Sequence, residues 1–224
     1  KVLDGIMTEK RYDLARAAKL AIMDVTHSGL FTTEDQFISR FAGKLPIVAQ
    51  SDRAYSAFLS RIRMDWFTHM VDALEKSGQP VSLKEAKEIA GFVNIATGRG
   101  NLGKFETHGN TLAKLMFSAR YNWSRIQYIT GTPIWKSKSK RVQREILKTY
   151  GQTALGYAGL AAALTYGLGL SIGNDPTRGD IGRAIEGIRR YDITSGLSQY
   201  ITLGARLFEG LMGNIRGDEK QIKR

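Results

Sequence analysis

The sequence predicts an all-α chain: a multi-helix bundle with one Gly/Ala-rich apolar helix, elongated or dependent on oligomer formation. Three observations carry that prediction. Apolar residues recur at three- and four-residue spacing along most of the 224 positions. Two Ser/Thr residues, each followed three places on by Glu or Gln, mark helix starts. No interval alternates apolar and polar side chains with period two, as a half-buried strand requires.

Taken in order, Ile6, Leu14, Ala17, Ala18, Ala21, Ile22 and Val25 predict a first helix that stops at Gly29. Thr33 with Gln36 forms a capping box ahead of Phe37, Ile38 and Phe41, and Pro46 interrupts or kinks the helix that follows. Ser51-Asp52 then offers a fresh N-cap for a long amphipathic run through Tyr55, Phe58, Leu59, Ile62, Trp66, Met70 and Leu74 to Gly78. Ser82 and Glu85 form a second capping box, opening a helix through Leu83, Ala86, Ile89, Ala90, Val93 and Ala96 that ends at Gly98. Leu112, Leu115, Met116, Ala119, Trp123, Ile126 and Ile129 predict another, closed by Gly131-Thr132-Pro133, and a further helix runs from Ile134 to Tyr150. The chain thus organises as 1–97, an amphipathic helical region; 98–148, a basic helical region after a Gly-rich hinge; 149–212, an apolar helix and a C-terminal helical region; and 213–224, a charged tail.

Charge is concentrated in one place. Of the net +12, residues 1–97 hold +1, residues 98–148 hold +9 and residues 149–224 hold +2. Such a block suits a polyanion, whether nucleic acid, anionic membrane or an acidic neighbour. Its candidate polyanion-binding residues are Arg99, Lys104, Arg120, Arg125, Lys136, Lys138, Lys140, Arg141, Arg144 and Lys148. Aromatic residues Phe105, Phe117, Tyr121, Trp123, Tyr128 and Trp135 interleave with the block. They fit a base-stacking surface, or, by their helical spacing, a packed core. With no cysteine, the chain can form neither a disulfide nor a cysteine zinc site. It begins at Lys1 without a signal peptide, which reads as part of a longer chain.

From Thr149 to Asn174 there are 26 positions without a charge, longer than the ~20 residues a membrane-spanning helix needs. Ala and Gly dominate the run, so its hydrophobicity is marginal, and two readings stand: a buried helix or one that inserts into a membrane. Gly159, Ala163 and Gly167 form one small-residue ladder, and Gly169 with Gly173 another, both candidates for helix packing or membrane contact.

Catalytic constellations are thin. Ala96 to Gly103, ATGRGNLG, contains G-x-G-x-x-G, but a dinucleotide site needs a strand before it and an acidic residue ~20 positions on. A helix precedes it, and Arg120 stands where that acid belongs. A helix-ending turn is the simpler reading. His27, His69 and His108 lack metal-ligand spacing, and the S-x-x-K at Ser137 lacks partner motifs. These residues predict no enzyme, no cofactor, no metal and no small-molecule substrate.

Several blocks taken together carry a resemblance. Ser51 to Tyr55 with Phe58-Leu59, Phe92 to Asn94, Thr97 to Gly103, Leu112 to Arg120, Ser124-Arg125, and Arg190 to Ile193 with Gly196, Gln199-Tyr200 and Leu203 resemble the C-terminal region of bacteriophage large polyvalent proteins. The match spans roughly residues 41–208. It departs from the family pattern at Ala119, where a proline is expected, and at Thr194-Ser195, where an aromatic is expected. The resemblance implies a non-enzymatic structural or translocation part of an internal virion protein, one ejected with the genome to help form a conduit for DNA entry. The location it implies is the virion interior, then the host cell envelope or cytoplasm. Implied partners are further copies of the chain and portal, core or tail proteins, with phage DNA and host membrane as further candidates. Two alternatives remain open: a nucleic-acid-binding domain contacting DNA through 99–148, and an antirestriction or other host-takeover factor.

Overall fold

A computed structural model describes residues 2–22, 46–103, 119–175, 177, 179–194 and 196–216. Among them the chain is mostly helical with one small sheet. It forms two compact units, Lys1–Lys148 and Thr149–Arg224, whose boundary falls inside a single helix.

The first unit holds α1 (Val2–Met7), α2 (Tyr12–Ala17), α3 (Pro46–Glu75), α4 (Leu83–Ala96), α5 (Ala119–Ile129), α6 (Thr132–Lys136) and the start of α7 (Lys140–Ala162). The first helix expected from the sequence is two short ones, and it does not reach Gly29. Lys19 ends α2 with φ +62°, the left-handed conformation in which its own amide bonds to the Arg16 carbonyl and the Leu20 amide to the Ala15 carbonyl. Glycine is the usual occupant there, and a side chain costs ~1–2 kcal/mol. The capping box at Thr33 and Gln36 lies outside the described residues. Pro46 neither breaks nor kinks α3 but is its first residue, where a missing N–H costs nothing because that amide has no partner within the helix.

The core forms where α3 meets α4. Met64, Phe67, Met70, Val71 and Leu74 are buried on α3, and Ala86, Ile89, Ala90, Phe92, Val93 and Ile95 on α4. Each large side chain so buried contributes ~1.5–3 kcal/mol. Trp66 meets Phe92 edge to face at 5.5 Å, an arrangement the ring quadrupoles favour. α4 packs on α2, α3, α5 and α6, with six of its apolar residues buried while Lys84 and Lys87 stay exposed. Its start is the capping box expected from the sequence, with the Ser82 hydroxyl accepting from the Glu85 amide and the Glu85 carboxylate accepting from the Ser82 amide.

Polar clamps tie the helices together. Asn94 on α4 accepts from the Ala21 amide at 2.9 Å and donates to the Lys19 carbonyl at 3.1 Å. Arg63 on α3 donates to the Ala21 carbonyl at 2.7 Å and the Thr97 hydroxyl at 2.8 Å. Arg11 forks onto the Glu75 carboxylate and reaches Asp72 at 2.7 Å, a charge-assisted geometry stronger than a neutral hydrogen bond.

In the second unit α7 widens at its end into a π-helical turn, Ala163–Gly167. Gly169 follows at φ +69°, and the chain enters β1 (Ser171–Ile172). This pairs antiparallel with β2 (Arg183–Glu186), and β2 with β3 (Arg189–Asp192), in the order β1-β2-β3. The sheet departs from the all-α expectation. Its strands run two to four residues and bury little beyond Ala184, so no apolar alternation marks them. β3 is an edge strand, exposed at every position. α8 (Leu197–Arg216) follows a turn in which the Asp192 carboxylate accepts from the Thr194 amide and hydroxyl and the Gly196 amide.

Two carboxylates couple the first unit to pH. Glu75 is held below the usual carboxylate range by the bonds from Arg11, and Glu85 by the Ser82 amide and then the Ser139 and Ser82 hydroxyls. With depressed native values, the folded chain binds fewer protons than the unfolded one below the unfolded value of about 4.3. Stability from these groups is therefore complete above that pH and is lost as pH falls through the native values. The urea midpoint is expected to hold steady from neutral pH to about pH 5 and then drop. Glu75→Gln lowers the midpoint at neutral pH and makes the acid decline shallower.

Candidate functional site

The ATGRGNLG segment folds as a fixed joint. Gly98 leaves α4 at φ +92°, its amide bonding to the Ile95 carbonyl at 3.1 Å while the Arg99 amide reaches the Asn94 carbonyl at 2.8 Å. That pair of bonds closes a helix C-terminus. Gly100 then lies directly against α5, its amide on the Arg120 carbonyl at 3.1 Å, and a Cβ there would stand 2.6 Å from both the Arg120 carbonyl and the Ser124 amide. The Gln127 side chain accepts from the Asn101 amide and donates to the Asn101 carbonyl, each at 3.0 Å, and the Gly103 amide bonds to the Asn101 side chain at 2.8 Å. The amides of residues 98, 99, 100, 101 and 103 are thus taken up within the protein. A dinucleotide loop would turn such amides on pyrophosphate. These hold α5 in place instead.

The basic residues separate into different settings. Arg99 and Arg120 are half-buried beside that joint. Arg125 stacks on the Tyr121 ring at 4.6 Å and donates to its hydroxyl at 2.9 Å. Lys136, Lys138, Lys140, Arg144 and Lys148 are exposed, with Lys148 3.4 Å from Glu145. Arg141 turns back to the end of α3, donating to the Leu74 carbonyl at 2.9 Å and to the Ser77 hydroxyl and Gln79 carbonyl at 3.1 Å, where a cation complements the negative end of the helix. Lys104 lies outside the described residues, as do Lys114, His27 and His108.

The helix expected over 134–150 is divided at residues 137–139, and the cause is Glu88 on α4. Its carboxylate accepts from the Ser137 hydroxyl at 2.7 Å, the Lys138 amide at 3.0 Å and the Ser139 amide at 3.3 Å. An anion thus sits at the start of α7, where the helix dipole favours it. Ser137, the serine of the S-x-x-K pattern, serves as a donor in this clamp.

Gly159, Ala163 and Gly167 lie exposed along α7 and its π turn. Gly169 and Gly173 are not on a helix: Gly169 terminates one, and Gly173 follows β1 in an isolated bridge to Ile181, where a Cβ would run into the Asp180 carbonyl. The apolar helix expected across 153–173 therefore ends at the π turn. Among the described residues, no helix is long and apolar enough to cross a membrane.

On α8 the usual arrangement is inverted. Ser198 and Thr202 are buried, whereas Leu207, Phe208 and Leu211 are exposed by 65%, 64% and 61%. On a 3.6-residue period Ile201, Phe208 and Leu211 share one side, and Ser198, Thr202 and Glu209 another. The helix shows its apolar side outward.

Comparison of the chain with protein-family models, curated proteins and solved structures finds no match.

Sequence reasoning located Arg99 and Arg120 but missed Lys19 and Lys87, which line the same cleft with them. Both lysines lie in the charge-balanced region 1–97, where no local excess marks them.

Gly100→Ala is expected to lower stability by ~1–3 kcal/mol, because the new methyl meets backbone that cannot yield without moving α5. Chemical denaturation of the purified variant measures it.

Proposed function

We propose that this chain is a non-enzymatic assembly part of a phage internal virion protein, working by association with further copies of itself. The inverted α8 carries the reading. Leu203, Leu207, Phe208 and Leu211 are each more than half exposed on this helix alone. Leu155, Leu160, Tyr166, Leu168 and Ile188 of the same unit are exposed as well. A unit that leaves so much uncovered gains by burying it against a partner, at ~25 cal/mol per Å². The resemblance to bacteriophage large polyvalent proteins supports a virion setting, in which copies pack in the capsid and reassemble as a conduit for DNA entry. The oligomer-dependent architecture expected from the sequence belongs to this reading.

A second reading, contact with phage DNA, draws on Lys136, Lys138, Lys140 and Arg144, which are exposed within one short stretch and can neutralise phosphates in any assembly state.

Sedimentation velocity at micromolar concentration tests the assembly reading. The wild-type chain is expected to sediment above its 24.9 kDa monomer mass. The double variant Leu207→Glu, Phe208→Glu is expected to sediment as a monomer with unchanged far-ultraviolet circular dichroism. A monomeric wild type overturns the reading, as does a double variant that associates equally well. Flotation of a monomeric wild type on anionic liposomes would assign the apolar face to a bilayer surface instead.

A further inference from the structure

Trp135 on α6 carries an indole that is 77% exposed, yet one edge of the ring is anchored. Its nitrogen donates to the Thr130 carbonyl at 3.2 Å, and Gly131 lies so close to that edge that a Cβ there would stand 3.2 Å from the nitrogen. Most of the ring is left open to solvent. Burying an indole is among the larger apolar gains a side chain offers, and this one forgoes it.

Four cations accompany the ring. Lys136 follows it in α6, Lys138 lies in the loop between the helices, and Lys140 and Arg144 stand on successive turns of α7. Helix positions four apart share a face and lie about 6 Å apart along the axis. All four cations are exposed, and among the described residues no carboxylate pairs with any of their side chains. The acids close by are already engaged. Glu88 accepts from the Ser137 hydroxyl and the Lys138 and Ser139 amides, and Glu85 accepts from the Ser82 amide and the Ser139 hydroxyl. Those bonds fix the loop. The Gln143 side chain, next to Arg144 in α7, donates to the Ile134 carbonyl at 3.2 Å, so α6 is tied to the first turns of α7. Arg141, bonded to the end of α3, takes no part.

We propose that this edge of the first unit binds single-stranded nucleic acid, with the Trp135 ring stacking on a base and Lys136, Lys138, Lys140 and Arg144 neutralising phosphates beside it. The inference rests on the DNA-contact reading and narrows it to one form of nucleic acid. Cations alone serve a duplex and a single strand alike. An exposed indole separates the two, because duplex bases are already stacked on one another, whereas those of a single strand offer an open π face. An anchored ring and a fixed loop also have little freedom to lose on binding.

The test uses the whole 224-residue chain with an oligothymidylate of about 15 nucleotides and a duplex of equal length, each followed by fluorescence anisotropy. Tighter binding of the single strand is expected, with a log–log salt slope of about −3 from four phosphate contacts and with quenching of the tryptophan emission. Trp135→Ala is expected to weaken oligothymidylate binding at least about fivefold, while duplex affinity stays within twofold. Trp135→Phe keeps a stacking face and most of the affinity but abolishes the quenching. The double variant Lys138→Gln, Arg144→Gln weakens both complexes and lowers the single-strand slope to about −1.5. Equal or tighter binding of the duplex overturns the proposal and leaves the DNA-contact reading standing. Wild-type oligothymidylate affinity in Trp135→Ala, quenching that survives Trp135→Phe, or an unchanged slope in the double variant does the same. Binding of neither nucleic acid by the wild type overturns both.

Discussion

The first unit depends on the burial of α4. Where α4 meets α2, α3, α5 and α6 a polar group cannot reach solvent, and an unmet hydrogen-bonding group in such a place costs ~1–3 kcal/mol. Each polar side chain of α4 that faces a neighbour therefore becomes a fastening. Glu85 holds its own N-terminus and reaches Ser139, Glu88 shapes the loop before α7, and Asn94 grips the end of α2. Thr97, one residue past the helix, receives Arg63 from α3. The surrounding helices are short or irregular where these fastenings fall, as expected when tertiary bonds set the ends of elements.

The second unit is built on another principle. Ala184 is its sole buried apolar residue among those described, and Ser198 and Thr202 are the buried residues of α8. The Ser198 hydroxyl is buried without a hydrogen bond among the described residues, so this interior is neither apolar nor fully satisfied. Local turn chemistry does much of the organising. Asp192 illustrates it: burial alone would raise its pKa, but bonds from Thr194 and Gly196 outweigh that and hold it low. A unit of this kind keeps its shape by hydrogen bonds and leaves apolar side chains exposed.

How much of this was readable in advance follows from the range of the forces involved. The Ser82–Glu85 capping box and the stop at Gly98 are local, and both were plain in the sequence. The division at residues 137–139 depends on Glu88, some fifty positions upstream, and no local pattern could announce it. The sheet escaped because pairing, not apolar alternation, defines strands as short as Ser171–Ile172. Amphipathy of α8 was legible in the spacing of Ile201, Phe208 and Leu211, but periodicity identifies a face without saying whether it points in or out. The cationic cleft escaped for the same reason as the loop: Lys19, Lys87, Arg99 and Arg120 meet only in three dimensions.

β3 has a consequence for the form that association can take. An open strand edge commonly recruits another strand, the route to fibres and amorphous precipitate. Here the edge carries Arg189 and Arg190, both exposed, and charged side chains on an edge strand discourage such pairing. Extension of the sheet from β3 is thereby disfavoured. Association through helical surfaces leaves the β1-β2-β3 pairing intact and is reversed without unpairing a sheet.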